Sequence, residues 1–412
     1  MPSPDPTRTI AFGLLDAVLS RRRSLDEALD AAGPADPRDR AAAHRLAATV
    51  LRRLGTLDAV LEPFLRRAPP EGVRHALRIG AAQLLLLGTP PHAAVGTAVA
   101  LARSRGFTPF AGLVNAVLRR VAAAGSGALD ALDGPRLDTP AWLWASWGAD
   151  ARAIATAHAS EAPLDVTPAP GAILEGGAGL PNGTVRFPPG TRPTELPGFA
   201  AGAFWVQDAA ATLPVRLLRP APGQRVADLC AAPGGKTAQL AAAGALVTAI
   251  DRDGARLHRL RENLARLHLP AEIVEADALS WQPPAPLDAV LLDAPCTATG
   301  TVRRHPDVLR LRRPSDLSAV TAGQDALLRA AAAMLRPGGT LVYAVCSLQP
   351  EEGPARAAAA AGFGLVPDPV GPDELPELHR ALTEAGAVRT HPGLWPEHGG
   401  MDGFFIARFG KP

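Results

Sequence analysis

The sequence has few of the residues that define disulfide-bonded, metal-bound or membrane-embedded proteins. Its 412 residues include three cysteines, Cys230, Cys296 and Cys346, and none of them forms a CxxC pair. We therefore expect neither a disulfide framework nor a zinc module, and free thiols suit a reducing, cytoplasmic location. The sequence also lacks an uncharged apolar run of about 18 residues, which argues against a membrane-spanning helix.

Lysine is almost absent, because Lys236 and Lys411 are the two lysines among 42 basic residues. The net charge of +2 is unevenly distributed, since residues 1–125 carry seventeen arginines against ten acidic residues, a net charge of +7. Such asymmetry is typical of a domain that faces nucleic acid. A genome-wide preference for arginine would give the same count, so charge alone does not separate these two interpretations.

The chain is too long for a single core, and two or three domains are expected. Residues 1–125 are predicted to form an all-helical domain, because apolar residues recur at three- and four-residue steps. Residues 126–140 are predicted to be a linker, and residues 141–201 a small α+β connecting region. From residue 202 to 412, strands and helices alternate, which is typical of a parallel sheet covered on both faces. The helices predicted in the first domain are 8–19, 25–32, 38–55, 57–65, 73–87, 93–102 and 113–123.

Cysteines and acidic residues, which can react or bind ligands, follow the predicted strands of the last domain. Those strands are 225–230, 246–251, 272–275, 287–293 and 340–345, with a closing pair at 386–390 and 404–409. In open parallel sheets, ligands bind beyond the carboxyl ends of the strands. All three cysteines and the acids Asp228, Asp251, Asp277 and Asp293 lie at those ends. Their convergence at one edge is the main indication of function.

The loop after the first of these strands is predicted to bind a small ligand. Pro233, Gly234 and Gly235 offer a tight turn followed by a helix N-terminus, which suits a carboxylate such as that of a methionine moiety. A P-loop would need glycine where Cys230 stands, and no GxGxxG pattern is present. Asp251, which ends the second strand, suits ribose hydroxyls, and Asp277, after the third strand, suits an adenine amino group. A lone acid is more often a helix cap, but the combination favours a nucleotide-like ligand.

Cys296 and Cys346 lie in loops at adjacent strand ends, whereas a single such cysteine would most simply be a small buried hydrophobe. Carbon 5 of cytosine is a poor nucleophile, and a thiolate that adds at carbon 6 activates it toward a methyl sulfonium. Asp293 is suited to absorb charge near N3 of the base. The residues alone do not decide which cysteine attacks, because DNA cytosine methyltransferases use a Pro-Cys after the fourth strand.

The motifs resemble those of the Sun-type (RsmB-like) RNA cytosine-5 methyltransferases. The helical region is similar to the NusB-like RNA-binding module at residues 77–80, 90–95 and 114–120. The segments that match the methyltransferase are DLCAAPGGKT (228–237), LDAPCTATG (292–300), RRHPD (303–307), YAVCSLQPEE (343–352) and MDGFF (401–405). Val345 and Gly353 depart from the threonine and asparagine that are common in the family, and neither replaces a reacting group.

The resemblance implies an all-α NusB-like domain followed by an α/β Rossmann-like class I methyltransferase domain that uses S-adenosylmethionine on small-subunit ribosomal RNA. It implies Cys346 as the nucleophile and Cys296 as the residue that assists product release. The cofactor contacts that it implies are Cys230, Ala231, Ala232, Pro233, Gly234, Gly235, Lys236, Asp251, Asp277 and Asp293. The basic residues Arg303, Arg304 and His305 are predicted to contact RNA, or to form a solvated helix face.

Several alternatives remain open. The same chemistry could act on transfer RNA or large-subunit RNA. A DNA cytosine methyltransferase would leave Cys346 without a role, and a small-molecule methyltransferase would need neither the cysteine pair nor a basic helical domain. A non-catalytic RNA-binding assembly factor would predict a damaged site, whereas both cysteines, the glycine loop and the acids are present. A monomer is expected.

Overall fold

The computed structural model describes residues 5–412 and divides the chain into two compact units. The first unit contains the residues up to 161 together with residues 302–312, and the second contains residues 162–301 and 313–412. The first unit therefore extends beyond the predicted helical domain, 1–125, of which residues 1–4 lie outside the described residues. A short segment from the second half of the chain also belongs to it.

The α-helices of the chain vary from four to eighteen residues in length. They are, in chain order, α1 (Pro6–Leu19), α2 (Leu25–Asp30), α3 (Pro37–Arg52), α4 (Leu54–Leu61), α5 (Glu71–Leu85), α6 (Pro91–Ser104), α7 (Ala111–Ala124), α8 (Gly127–Asp130), α9 (Gly134–Asp138), α10 (Ala141–Trp147), α11 (Ala151–His158), α12 (Leu213–Leu218), α13 (Gly235–Ala242), α14 (Gly254–Leu267), α15 (Val308–Leu311), α16 (Leu317–Met334) and α17 (Pro354–Ala359).

Side-chain caps start several helices of the first unit. Asp5 Oδ1 accepts a hydrogen bond from the backbone N–H of Arg8 at 3.0 Å, and Ser24 and Glu27 form a capping box at the start of α2. Such caps satisfy amides that have no partner within the helix. The apolar faces of α1, α3 and α5 meet in one core. Every helix predicted between residues 8 and 123 is confirmed, with ends shifted by a few residues.

Residues 126–140, predicted to be a linker, contain two short helices, α8 and α9. Asp138, at the end of α9, is buried, and its carboxylate accepts hydrogen bonds from the N–H of Thr56 at 2.7 Å and from Arg53 Nε at 2.9 Å. Asp133 caps the start of α9, and Pro135 occupies its first turn, whereas α8 has no side-chain cap. Part of the composition that suggested a linker therefore encodes the start of a helix.

The predicted connecting region, residues 141–201, is divided between the two units. Its helices α10 and α11 belong to the first unit, and its strands belong to a small sheet in the second. That sheet is antiparallel, in the order β2-β3-β1-β4, and Asp165 on β1 lies opposite Arg186 on β3. The strands of the chain are β1 (Leu164–Pro168), β2 (Ala178–Gly179), β3 (Val185–Phe187), β4 (Phe204–Val206), β5 (Arg225–Leu229), β6 (Leu246–Asp251), β7 (Glu272–Glu275), β8 (Leu287–Asp293), β9 (Leu335–Val345), β10 (Val366–Pro367), β11 (Val388–Arg389) and β12 (Phe405–Gly410).

The large sheet of the second unit has the order β10-β12-β9-β8-β5-β6-β7, and β11 pairs with β12. Strands β5 to β9 are parallel, whereas β12 is antiparallel to β9. The strand order reverses beside β5, so the loops after β5 and β8 border the crevice where such sheets bind ligands. Strand β9 begins at Leu335, five residues before the predicted strand 340–345, so Pro337, Gly338 and Gly339 lie inside it. A register shift at Leu287 and Ala289 accommodates them.

Candidate active site

The second unit brings the two predicted reactive cysteines into contact. Cys296 follows β8 and Cys346 follows β9, and their sulfur atoms are 3.4 Å apart. The N–H of Gly300 donates to the carbonyl of Cys346 at 3.0 Å, which ties the two loops together. A Cβ on Gly300 would lie 2.0 Å from the carbonyl oxygen of Gly403, so this approach requires glycine.

Cys296 and Cys230 have raised pKa values, which keeps both side chains as thiols. The hydrogen bond with Cys346, burial and the nearby Glu352 carboxylate raise the pKa of Cys296 well above its ordinary value. Burial, followed by the charges of Asp251 and Asp293, raises the pKa of Cys230 to about 12. Either sulfur can donate in the 3.4 Å contact, and the raised pKa of Cys296 favours the proton on that residue.

Lys236 and Asp293 form a partly buried ion pair beside the cysteines. The Nζ atom of Lys236 lies 2.6 Å from Asp293 Oδ2 and 5.2 Å from the centre of the Phe404 ring. Burial alone would lower the pKa of Lys236, but the carboxylate of Asp293 outweighs it and raises that pKa above its ordinary value. The compact ammonium group therefore has a defined position between a carboxylate and an aromatic ring. This gives a physical reason for a lysine at this position in an arginine-rich chain.

The predicted cofactor loop is shaped by two left-handed backbone conformations, at Cys230 (φ +62°) and Gly234 (φ +102°). A Cβ on Gly234 would lie 2.8 Å from the Leu260 side chain. The carboxylate of Asp251 accepts hydrogen bonds from the N–H groups of Ala232 and Asp253, both at 3.1 Å. Arg256 Nη1 also lies 3.5 Å from Asp251 Oδ2, and the acceptor capacity that remains on the carboxylate suits ribose hydroxyls.

The other predicted contacts of this loop are its neighbours in sequence. Ala231 donates its N–H to the carbonyl of Ile250 at 3.0 Å, and Gly235 begins α13 without a side-chain cap. The first amides of a helix have no partner within it, which suits the carboxylate of an amino acid. Pro233 follows a cis peptide bond. These groups match the chemistry of S-adenosylmethionine, with its carboxylate at one end and its ribose at the other.

Asp277 is exposed, and its carboxylate accepts the N–H of Leu279 at 2.9 Å, so it also caps a local turn. Asp228, for which no specific role was predicted, is completely buried at the end of β5. Thr237 Oγ1 donates to Asp228 Oδ2 at 2.6 Å, and the other oxygen has no hydrogen-bond partner within residues 5–412. Burial raises the pKa of Asp228 to about 7. An acid inside an otherwise apolar strand was the available signal.

The predicted RNA-binding residues lie in the first unit, in the segment 302–312. Arg303 is 2% exposed, and its carbonyl accepts a hydrogen bond from Arg52 Nη2 at 2.8 Å. Burial removes Arg303 from contact with RNA, so this prediction is wrong in the structure. Arg304 is exposed, and His305 is 40% exposed, with Nδ1 3.5 Å from Asp26.

Two protein families match different parts of the chain. A profile of the NusB family matches residues 5–123, and a profile of the family described as 16S rRNA methyltransferase RsmB/F matches residues 215–410. The ribosomal RNA small subunit methyltransferase B of Vibrio cholerae is 36% identical over 98% of this chain and 97% of that protein. The chain belongs to the RsmB/F family of 16S rRNA methyltransferases.

Another RsmB/F relative, the ribosomal RNA small subunit methyltransferase B of Xanthomonas campestris, is 40% identical over 84% of this chain and 85% of that protein. A solved methyltransferase homolog from Pyrococcus horikoshii is 28% identical, with a TM-score of 0.53 over 65% of this chain and 92% of that structure. RsmB/F membership confirms the predicted fold class, the predicted S-adenosylmethionine cofactor and the predicted RNA methyltransferase activity. Within residues 5–412, no helix combines the length and apolar character that a membrane span requires.

Proposed function

We propose that this protein methylates carbon 5 of a cytosine in small-subunit ribosomal RNA, through a covalent bond between Cys346 and carbon 6 of the base. The observation that carries the proposal is the 3.4 Å contact between the two sulfur atoms, in which Cys296 keeps its proton. Relatives named ribosomal RNA small subunit methyltransferase B support the choice of RNA. An unpaired or flipped-out cytosine is required, because a stacked base cannot reach a thiolate.

The first step is addition of the Cys346 thiolate to carbon 6. The sulfur–carbon bond forms as the π bond between carbons 5 and 6 breaks, and the electron pair becomes available at carbon 5. Asp293 is proposed to lie beside N3 of the base, and the Lys236 ammonium group, 2.6 Å from the Asp293 carboxylate, would offset the negative charge that develops on the ring. S-adenosylmethionine, when bound, would supply the electrophilic methyl group to carbon 5; its sulfur–methyl bond would break and S-adenosylhomocysteine would leave.

The second step removes the proton from carbon 5 and releases Cys346. Once the Cys346 sulfur is bonded to carbon 6, it no longer accepts the Cys296 proton, and the largest cause of the raised pKa of Cys296 is gone. Cys296 then loses its proton to water and takes the proton of carbon 5. The electron pair restores the double bond between carbons 5 and 6 as the carbon–sulfur bond breaks. Cys296 therefore serves product release.

Binding is assigned to the residues whose chemistry fits each partner. The turn of Cys230, Ala231, Ala232, Pro233, Gly234 and Gly235 would hold the carboxylate end of S-adenosylmethionine, and Asp251 its ribose. Asp277 would meet the adenine, and Lys236 and Asp293 would lie at the methyl-transfer end. Arg304 and His305 are proposed to contact RNA phosphates. We also propose a monomer as the active form.

The direct test uses S-adenosylmethionine labelled in the methyl group. The protein is incubated separately with unmodified small-subunit RNA, large-subunit RNA and transfer RNA, and the nucleosides are analysed by mass spectrometry. We expect labelled 5-methylcytidine in small-subunit RNA alone. Label in another RNA would replace the proposed substrate, label on another atom would refute the chemistry, and no label in any RNA would favour an assembly factor.

A further inference from the structure

A fully buried carboxylate, Glu352, joins the two loops that carry the reactive cysteines. From the loop after β8, Thr297 donates its backbone N–H to Glu352 Oε2 at 2.8 Å, and its hydroxyl donates to Oε1. From the loop after β9, the hydroxyl of Ser347 donates to Oε1 at 2.6 Å. Thr297 directly follows Cys296, and Ser347 directly follows Cys346. In each loop, the carboxylate therefore forms hydrogen bonds with the residue that directly follows the cysteine.

The same carboxylate also has a contact with helix α16. Gln324 Nε2 donates to Glu352 Oε2 at 3.1 Å and to the carbonyl of Pro295, the residue before Cys296, at 3.0 Å. All four groups that contact the Glu352 oxygens are donors, which is the pattern of an ionised carboxylate. No ion pair found within residues 5–412 includes Glu352. Hydrogen bonds from neutral donors therefore compensate the burial of this charge.

Other hydrogen bonds make this arrangement rigid. The hydroxyl of Thr299 lies 3.2 Å from that of Ser347 and accepts the N–H of Leu348 at 3.0 Å. The hydroxyl of Tyr343 donates to the carbonyl of Glu352 at 2.6 Å, which fixes the residue from the β9 side. Glu352, Thr297, Thr299 and Ser347 are all fully buried. Movement of either loop would leave buried donors unsatisfied, so the spacing of the loops is determined by the carboxylate.

We propose that Glu352 is a positioning residue of the methyl transfer, which holds the Cys296 and Cys346 loops at the spacing that keeps their sulfur atoms in contact. Glu352 touches neither sulfur and takes no part in bond making. Its charge has a second effect, because it helps to keep the proton on Cys296 and so leaves Cys346 as the attacking sulfur. This inference rests on the proposed function, in which the two cysteines have different tasks.

The test compares Glu352→Gln with Glu351→Gln, a matched control in which the neighbouring, exposed acid undergoes the same change. The glutamine amide keeps the size of the side chain but turns an NH2 group toward donors. The first measurement needs no RNA: the rate of iodoacetamide labelling of each cysteine is followed against pH by peptide mass spectrometry. In Glu352→Gln we expect Cys296 to become labelled at lower pH than in the unchanged protein. In Glu351→Gln we expect the original profile.

The second measurement is methyl transfer to small-subunit RNA. We expect kcat of Glu352→Gln to fall by about 10- to 100-fold, the scale at which misplacing a reacting group by about 1 Å costs rate. The KM for S-adenosylmethionine should stay the same, because the cofactor loop is separate from this network. Thr297→Val, which removes a single hydroxyl, should move both readouts in the same direction by less, and circular dichroism checks that each variant is folded.

The outcomes separate this inference from the proposed function. An unchanged labelling profile together with an unchanged kcat in folded Glu352→Gln would overturn the positioning role. Equal effects of Glu351→Gln and Glu352→Gln would overturn it as well, since only the latter residue joins the loops. If the unchanged protein methylates no RNA, the proposed function fails, while the labelling profiles still decide whether Glu352 controls the cysteine pair.

Discussion

The three cysteines have the same side chain, and their surroundings give them different properties. Cys230 is partly buried near Asp251 and Asp293, and Cys296 is partly buried with its sulfur 3.4 Å from that of Cys346. Sequence spacing predicted that the last two would meet, because they follow adjacent parallel strands. It could not predict which one keeps its proton, since that depends on the contact between the two sulfur atoms and on the burial of Cys296 in the folded chain.

Asp228 provides a test of burial at the scale of one residue. Its pKa is raised from 3.8 to about 7, so between these values the folded chain retains a proton that the unfolded chain releases. Stability is therefore lost as pH rises through this window. The side chain of Asp228→Asn does not titrate, so the variant should not lose stability in this way. The free energy of unfolding of the variant minus that of the unchanged protein should therefore be larger at pH 8 than at pH 4, by up to about 4 kcal/mol.

Urea unfolding at both pH values measures this difference directly. Asp277→Asn is the control, because Asp277 is exposed and the substitution is the same. We expect the control to follow the pH profile of the unchanged protein. Identical profiles for all three proteins would show that Asp228 is not buried as an acid.

At the scale of elements, the strands of the large sheet were the most predictable part of the fold. Strands β6, β7 and β8 have the predicted ends. Strands β6 and β8 are mostly buried runs of apolar residues that finish at an acid, which is a clear local signal. The early start of β9, which includes Pro337, Gly338 and Gly339, was not predicted, since the register shift there depends on the partner strand. Residues 126–140 were also misjudged, because their helices are stabilised by α4, far away in sequence. Contacts of this kind are absent from local patterns.

Asp138 tests whether that segment packs as described. In Asp138→Ala, the buried N–H and hydroxyl of Thr56 lose their acceptor. An unsatisfied buried donor costs about 1–3 kcal/mol, so the free energy of unfolding should fall by that amount. Asp130→Ala, an exposed acid in the same segment, is the control and should change stability little. Equal effects of the two substitutions in thermal or urea unfolding would mean that α9 is not docked through Asp138.

At the scale of the whole molecule, charge is distributed unevenly along the chain. Residues 1–125 carry a net charge of +7 while the whole chain carries +2, so residues 126–412 carry −5. A basic domain attracts the phosphate backbone over a distance set by salt. The predicted division into a helical part and a methyltransferase part could be made from periodicity and motifs alone. The position of residues 302–312 in the first unit could not, because they follow the active-site loop in sequence.

The central claim is that Cys346 bonds to the RNA and Cys296 releases it. The most direct measurement is denaturing gel analysis of protein incubated with S-adenosylmethionine and small-subunit RNA. It compares the unchanged protein with Cys346→Ala, Cys296→Ala and the control Cys230→Ala. We expect a denaturant-resistant protein–RNA adduct to accumulate in Cys296→Ala, because the release step is blocked after the bond has formed. Cys346→Ala should form no adduct and no 5-methylcytidine, and Cys230→Ala should form no stable adduct. An adduct in Cys346→Ala would instead identify Cys296 as the nucleophile and contradict the account.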